Sequence, residues 1–471
     1  MIIFFKYTLS VKILGVLIFL NLHSGLTEVK AKDHNVLLIA IDDLNDWVGC
    51  MNTNTAARTP NIDRLSKRGV LFTNAHCQAP ICNPSRTSLM LGLRPSSTGI
   101  YVNNPWFRSL ETTRSRMTMT QYFRKFGYRT MSAGKIFHGS KVDKLSFENY
   151  GPRPGQISEK DKRIQKDSPS KTRLWDFGPQ NYDEKDHTDY QVSSWCLEQL
   201  KDEDEKPFFM AVGFYRPHVP MFAPEAYFKS RPLDKVVLPS VKVDDRKDLP
   251  LAALDLIHNT LPPSHDWFVK SGKWKEAVQA YHACVTYTDR QVGRILDALD
   301  SSIYSKNTIV ILFSDHGFHL GEKQMWAKRS LWERSTRVPL IVSLPDGLQG
   351  KRCSKPVELL SIYPTLVEAC GLPAIDDLDG VSIKPLLDDP SREWRFPALT
   401  TFKKGNHSVR SERYRYIQYF DGSEEFYDHM NDPEEWVNLS SDDRYESLIK
   451  KHANMLKETL RKNENKTSKK S

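Results

Sequence analysis

The chain has 471 residues, enough for two or three domains. Its 39% hydrophobic and 27% charged residues describe a globular protein and exclude a disordered one. A formal net charge of +9 is spread along the sequence and suits an anionic partner; no nucleic acid is expected, because basic residues cluster only between Lys450 and Lys470, which reads as a frayed, solvated tail.

At the N-terminus, Lys6 and Lys12 precede the apolar run Ile13 to Leu20, which small and polar residues follow. This is the order of a secretory signal peptide, with Val29 and Ala31 suiting a cut after Ala31. Residues 1–31 are therefore assigned to the signal peptide, and the mature chain is expected to be exported, either periplasmic or secreted. The apolar run is shorter than the ~20 residues of a membrane span, and no later run is long enough, so no stable membrane insertion is expected. The seven cysteines (50, 77, 82, 196, 284, 353 and 370) form neither a dense disulfide framework nor a zinc-type pair.

Further along, Asn35 to Ile41 is a continuous apolar run that reads as a fully buried strand and ends in Asp42-Asp43. Phe208 to Phe214 is another, ending at Arg216-Pro217-His218, and Thr308 to Phe313 a third, ending in Ser314-Asp315-His316-Gly317. Residues 152–185 are polar and rich in Pro, Gly and Lys, and read as a long surface insertion. Val285, Val292, Ile295, Leu296 and Leu299 recur at helical spacing, predicting a helix over about 276–299. Beyond Gly380, short aromatic strands such as Tyr414 to Tyr419 predict a smaller subdomain. Alternating strands and helices give an α/β sheet, and ligands of such sheets lie beyond the carboxyl ends of the strands.

Two adjacent carboxylates at the end of a buried strand repel each other, and need a cation or donors to remain ionised. Asp42-Asp43 alone reads first as a helix cap beside a solvated acid. Together with Asp315-His316 it reads as a divalent-cation site whose oxygen ligands favour Ca²⁺ or Mg²⁺; the softer His316 leaves a transition metal open. In Cys82-Asn-Pro-Ser-Arg86, Pro84 suits the first turn of a helix. Cys82 then lies where orphan N–H groups favour an anion, and Arg86 one turn on can reach back to a negative group. Taken alone, such a cysteine reads first as a buried structural thiol.

Cys82-Asn-Pro-Ser-Arg86, continued by Thr87-Ser-Leu-Met-Leu-Gly92, resembles the signature of the type I sulfatases of the alkaline phosphatase superfamily, in which that cysteine is oxidised to formylglycine (3-oxoalanine). Asn35 to Asp43, Thr59-Pro-Asn-Ile-Asp-Arg-Leu65, Ala133-Gly-Lys-Ile-Phe-His138, Pro217-His218 and Ser314-Asp-His-Gly317 follow in that family's order, over about residues 35–390. His316, Val212-Gly-Phe-Tyr-Arg-Pro-His218 and the pair Leu320-Gly-Glu and Trp326-Ala-Lys328 are most similar to the iduronate-2-sulfatase group.

The resemblance implies an α/β, alkaline-phosphatase-like central mixed sheet flanked by helices in residues 32–380, with a smaller C-terminal α+β subdomain and basic tail in residues 381–471. It implies that Asp42, Asp43, Asp315 and His316, with the group derived from Cys82, hold Ca²⁺, that Arg86 steadies that group, and that Lys135, His138, His218 and Lys328 surround the sulfate. In the chemistry so implied, the aldehyde hydrate attacks sulfur in line, and the lysines and the metal offset the charge. His218 protonates the leaving sugar oxygen and His138 removes the remaining hydroxyl proton, so that sulfate is expelled. The implied partners are a sulfated carbohydrate substrate and a formylglycine-generating maturation enzyme. Tyr101, Asn104, Trp106 and Arg108 match a substrate-pocket segment of the group, although Val102-Asn103 and Pro105 depart from it. Trp106 is then placed to stack on a sugar, and Arg108 or Arg329 to pair a uronate carboxylate. The alternatives are a phosphonate or phosphate ester hydrolase of the same superfamily, or a catalytically inactive sugar-binding relative.

Overall fold

The computed structural model describes residues 34–54, 56–139, 141–153, 155 and 161–468, with side chains described as far as residue 461. The signal peptide assigned to residues 1–31 lies outside the described residues. Nine strands build one mixed sheet: β1 (Asn35–Ile41), β2 (Val70–His76), β3 (Arg129–Gly134), β4 (Asn149–Tyr150), β5 (Phe208–Phe214), β6 (Thr308–Ser314), β7 (Arg337–Ser343), β8 (Lys351–Cys353) and β9 (Val357–Glu358). The order is β8-β2-β7-β6-β1-β5-β3-β4, with β9 also on β2. Only β7 runs antiparallel to its neighbours β2 and β6.

The three predicted buried strands lie side by side, β1 between β5 and β6. Side chains alternate between the faces of a strand, so each strand feeds two cores. Leu37, Ile39 and Ile41 join one with Met210, Val212 and Leu312, while Val36, Leu38 and Ala40 join the other with Phe209, Ile309 and Ile311. Each of the Val, Leu, Ile, Met and Phe side chains removed from water contributes roughly 1.5–3 kcal/mol, so both faces must be covered. Helices α1 (Cys82–Leu91), α2 (Thr188–Lys201), α3 (Trp274–Asp300) and α4 (Ile362–Ala369) do this. Val192 of α2 and Tyr281, Val285 and Leu296 of α3 pack on the first face, and Met90 of α1 and Leu366 of α4 on the second.

Strands β10 (Ala398–Thr401), β11 (His407–Arg410), β12 (Tyr414–Gln418) and β13 (Glu424–Asp428) form a separate antiparallel meander. The basic C-terminal stretch, expected as a frayed tail, is helical instead: α5 spans Glu446–Ser468. Ile449 and Leu456 of α5 pack against Val409, Tyr416 and Phe426 of the meander, and that apolar face orders the segment despite its charge. All seven cysteines are free thiols, and among the described residues no helix is long and apolar enough to cross a membrane.

Candidate active site

The carboxyl ends of β1, β3, β5 and β6 bring their polar clusters to one place. Asp43 leaves β1 with a φ of 62°, held by its carbonyl, which accepts from Tyr281 Oη at 2.8 Å, and by its N–H, which donates to Asp315 Oδ1 at 3.3 Å. β3 and β5 end together because Gly134 and Gly213 lack side chains. A Cβ on Gly213 would lie 2.0 Å from the carbonyl oxygen of Lys135, and one on Gly134 1.9 Å from that of Gly213. This approach sets Lys135, whose N–H donates to the Gly213 carbonyl at 2.8 Å, beside Asp42.

Helix α1 begins at Cys82 and ends where Gly92 adopts a φ of 67°; a side chain there would meet Leu378 Cδ2 at 2.5 Å. Ser85 Oγ donates to the Asp315 carbonyl at 2.6 Å and fixes the helix to the end of β6. Cys82 Sγ lies 3.3 Å from His316 Nε2, 3.6 Å from Asp42 Oδ1 and 3.7 Å from Lys135 Nζ. Arg86 Nε donates to Asp315 Oδ2 at 2.7 Å, its Nη1 to the carbonyls of Lys135 and Ile136, and its Nη2 lies 3.6 Å from Asp42. Lys135 pairs with Asp42, and Lys328 Nζ donates to Asp43 Oδ1 at 2.5 Å. His218 Nδ1 approaches the Val219 carbonyl at 2.6 Å and Tyr215 Oη at 2.8 Å, which leaves Nε2 toward Asp43 Oδ2, 3.8 Å away. His138 lines the cavity beside Cys82, near enough to help hold its thiol ionised.

Electrostatics follow from this crowding. Burial opposes ionisation of Cys82, but Lys135, Lys328 and His316 outweigh it and hold the thiol well below its ordinary range. Burial and the Cys82 charge work against Asp42, yet Lys135, His218 and Arg86 keep its carboxyl below the usual carboxylate value. Burial pushes Asp315 up to about 6 against the pull of Arg86. For His316, burial is overcome by Asp315 and Cys82, which raise it to about 9.

Asp42, Asp43, Cys82 and His316 each offer one ligand atom, all within 4.8 Å of one another. The Asp43 Oδ2 atom is buried and makes no hydrogen bond. An orphaned carboxylate oxygen in a nest of acids, with ammonium groups already drawn to it, fits a divalent cation. Asp315 stands at the edge of this cluster, its Oδ2 turned to Arg86.

A cavity of about 280 Å³ opens over Cys82, and Asp43, His138, His218, Lys328 and Arg329 line it. The site residues read from the motifs therefore converge here, with Arg86, Lys135 and Asp315 packed beneath. The aromatic segment after α1 does not. Asn83 Nδ2 donates to the carbonyls of Val102 and Pro105, which turns the loop so that Asn103 rather than the exposed Asn104 reaches the cavity wall. Trp106 packs against Phe107 and Phe137 with ring centroids 4.4 and 5.2 Å apart, and Tyr101 is not in the lining. Arg108 is spent on Asp143 (3.1 and 2.7 Å) and on Gln121, leaving no free fork for a substrate carboxylate.

Other walls carry no motif. Thr172, Leu174 and Trp175 come from the stretch expected as a surface insertion, which at these residues reaches the cavity, and Asn259 and Leu261 come from the loop after Ile257. The hint in the sequence is the apolar and aromatic group Leu174, Trp175 and Phe177 inside a mostly polar stretch.

The sulfatase family model matches residues 34–372, and the model of the C-terminal region of N-sulphoglucosamine sulphohydrolase matches residues 321–465. A protein described as a sulfatase from Formosa agariphila is 42% identical over 428 residues, covering 88% of this chain and 84% of that protein. The iduronate 2-sulfatase of Mus musculus is 31% identical over 394 residues, covering 72% of this chain and 69% of its own. A structure solved in complex with its substrate D-glucosamine-2-N,6-O-disulfate superposes with a TM-score of 0.74 at 19% identity, covering 92% of this chain and 98% of the other. The sheet and its flanking helices are thus the alkaline-phosphatase-like fold, and the chain belongs to the sulfatase family, as a sulfuric ester hydrolase with iduronate 2-sulfatases among its relatives.

Proposed function

We propose that the protein is exported, is matured at Cys82 to formylglycine by a separate enzyme, and removes sulfate from a sulfated sugar of an acidic polysaccharide or its oligosaccharides. Uronate 2-sulfate is the unit to test first, with an algal polysaccharide sulfate as the second candidate. The observation that carries this reading is the cavity floored by Cys82 and ringed by Lys328, His138, His218 and Arg329. We assign residues 32–380 to catalysis and residues 381–471 to the supporting subdomain.

Asp42, Asp43, Asp315 and His316 are the residues to hold Ca²⁺. When present, the ion supplies charge beside the reacting oxygens, and formylglycine supplies a hydrated aldehyde as nucleophile. The remaining work belongs to ordinary side chains. Lys135 and Lys328 place two ammonium groups against the sulfuryl oxygens, where charge grows as the ester bond breaks. Arg86, locked to Asp315, keeps the side chain at position 82 oriented. His218 presents Nε2 to the cavity and gives its proton to the departing sugar oxygen, while Nδ1 stays anchored on Val219. His138, in the cavity lining beside Cys82, accepts the proton that position 82 must lose as sulfate departs. Arg329, with Nη1 3.4 Å from Asn259 Oδ1, lines the cavity as the cation for a sugar carboxylate.

The test compares hydrolysis of 4-nitrophenyl sulfate with that of the matching phenylphosphonate monoester, followed by a panel of defined sulfated sugars. Preference for the sulfate, and release of sulfate from a sulfated uronate, are expected. Faster phosphonate hydrolysis would assign the site to the rival reaction.

A further inference from the structure

A histidine that hands a proton to a leaving oxygen must do so from the ring nitrogen that faces it. Which nitrogen of an imidazole carries hydrogen is set by the hydrogen bond that the other one makes. Around His218 that bond is well defined. Nδ1 lies 2.6 Å from the Val219 carbonyl oxygen, which can only accept, so Nδ1 bears a hydrogen. Tyr215 Oη lies 2.8 Å from the same nitrogen and 3.3 Å from the Val219 oxygen. With Nδ1 protonated, the phenol oxygen shares that N–H as a second acceptor and sends its own hydrogen to Val219. One hydrogen-bond pattern satisfies all three groups.

Tyr215 is held as firmly as the histidine it meets. It follows β5 directly, is only 1% exposed and is not part of the cavity lining. Its N–H donates to Asp189 Oδ1 at 2.8 Å, and the next N–H, of Arg216, donates to Asp189 Oδ2 at 2.9 Å. A single buried carboxylate in the first turn of α2 thus clamps both. From α3, Thr288 Oγ1 donates to the Arg216 carbonyl at 3.0 Å. The Tyr215 ring lies 4.8 Å from the imidazole and 4.9 Å from Lys135 Nζ, against which its face packs. A buried phenol must have its hydroxyl paired, a demand that phenylalanine in the same space would not make. Among the described residues, the partners of this hydroxyl are His218 and Val219.

We propose that Tyr215 is a positioning residue for the reaction: its hydroxyl keeps the hydrogen of His218 on Nδ1 and the ring in place, so that Nε2 is the nitrogen that gives up a proton. Nε2 belongs to a side chain of the cavity lining and lies 3.8 Å from Asp43 Oδ2. The transfer balances. The Nε2–H bond breaks while an O–H bond forms on the departing alcohol, and the electron pair of the broken bond stays on Nε2. The ring is left as the neutral Nδ1–H tautomer, which Val219 and Tyr215 already hold, so neither a ring flip nor a second proton transfer intervenes. This role rests on the sulfatase reading above and deepens it, adding to the acid a residue that never touches substrate.

The test uses Tyr215→Phe in the matured enzyme, which keeps the ring beside Lys135 and removes only the hydroxyl. The substrates are aryl sulfates of similar size whose leaving phenols differ in acidity, from 4-nitrophenyl to 4-methoxyphenyl sulfate. The first leaving group departs with little help, whereas the second depends on being protonated as it leaves. The loss in kcat/KM should be about twofold or less for the nitrophenyl ester and grow to about fivefold for the methoxyphenyl ester, on the scale of one hydrogen bond. In a His218→Ala background the same substitution should cause no further loss, because the acid it positions is gone. An equal loss along the whole series, no loss at any ester, or an undiminished loss in the His218→Ala background would overturn the role while leaving sulfate hydrolysis intact. A matured wild type that cleaves none of these esters would instead sink the sulfatase reading, and the role of Tyr215 with it.

Discussion

Asp42, Asp43, Cys82 and His316 form one buried group with ligand atoms close enough to share an ion, and Glu333, His429 and Glu435 form another. Their partners separate them. In the second group Glu333 is met by Arg415, by Arg410 at 3.3 Å and by Arg337 at 3.4 Å. Glu435 is met by Arg415 Nε at 2.6 Å, His429 at 3.0 Å and the Glu333 N–H at 2.9 Å. Planar guanidinium forks saturate carboxylates in fixed geometry, and this cluster joins the C-terminal meander to the catalytic sheet. In the first group the cations at Asp42 and Asp43 include the ammonium tips of Lys135 and Lys328, Asp43 Oδ2 makes no hydrogen bond, and Asp43 and Cys82 face a cavity. Proximity of acids and histidines is common to structural and reactive centres. An orphaned lone pair facing open space distinguishes the reactive one.

That contrast can be broken residue by residue. Cys82→Ser and Cys82→Ala should each lower kcat by a factor on the order of 10⁴ or more while the thermal unfolding transition survives; near-normal turnover in either ends the mechanism. In the second cluster, Arg415→Met leaves two buried glutamates short of a partner and should cost about 3–5 kcal/mol of stability in denaturant titrations. An unchanged midpoint would show that the cluster does not join the two sheets. Lys328→Ala should reduce kcat roughly 10²–10³-fold, because its charge acts on the sulfuryl oxygens, with little loss of stability. A large stability loss instead would place it with the structural ion pairs. Arg329→Ala should raise KM for uronate sulfates about tenfold and leave 4-nitrophenyl sulfate alone; Arg108→Ala, by contrast, should lower the melting temperature without a selective KM effect.

The smallest effect concerns pH. Although burial opposes it, Arg415 and His429 hold Glu435 down at about 2, against 4.5 for a free glutamate. The folded state therefore binds fewer protons than the unfolded one between those values, so stability is fully present above 4.5 and lost as pH falls toward 2. The contribution of Glu435 between pH 5 and pH 4 is below about 1 kcal/mol. Urea midpoints should show this slope in the wild type and a flatter one in Arg415→Met.

The buried strands, the long helix and the reactive cluster were legible because their signals are local: continuous apolar runs, helical spacing, and motif residues at strand ends. The outer wall of the cavity was not, because nearness in sequence does not fix direction. Asn83 clamps the 102–105 loop and Asp143 captures Arg108, contacts that become visible only after folding. Trp175 and Asn259 arrive from distant segments that look like ordinary loops. In the C-terminal helix a high density of charge masks the pattern: Ile449, Leu456 and Leu460 mark one apolar face.

The measurement that bears most directly on the central claim is the rate of sulfate release in preparations graded by how much of the position-82 peptide carries an aldehyde, determined by mass spectrometry. Activity should rise in proportion to the aldehyde fraction and extrapolate to zero where only thiol is present. Turnover that is independent of that fraction, or undiminished in the all-thiol protein, would contradict the account.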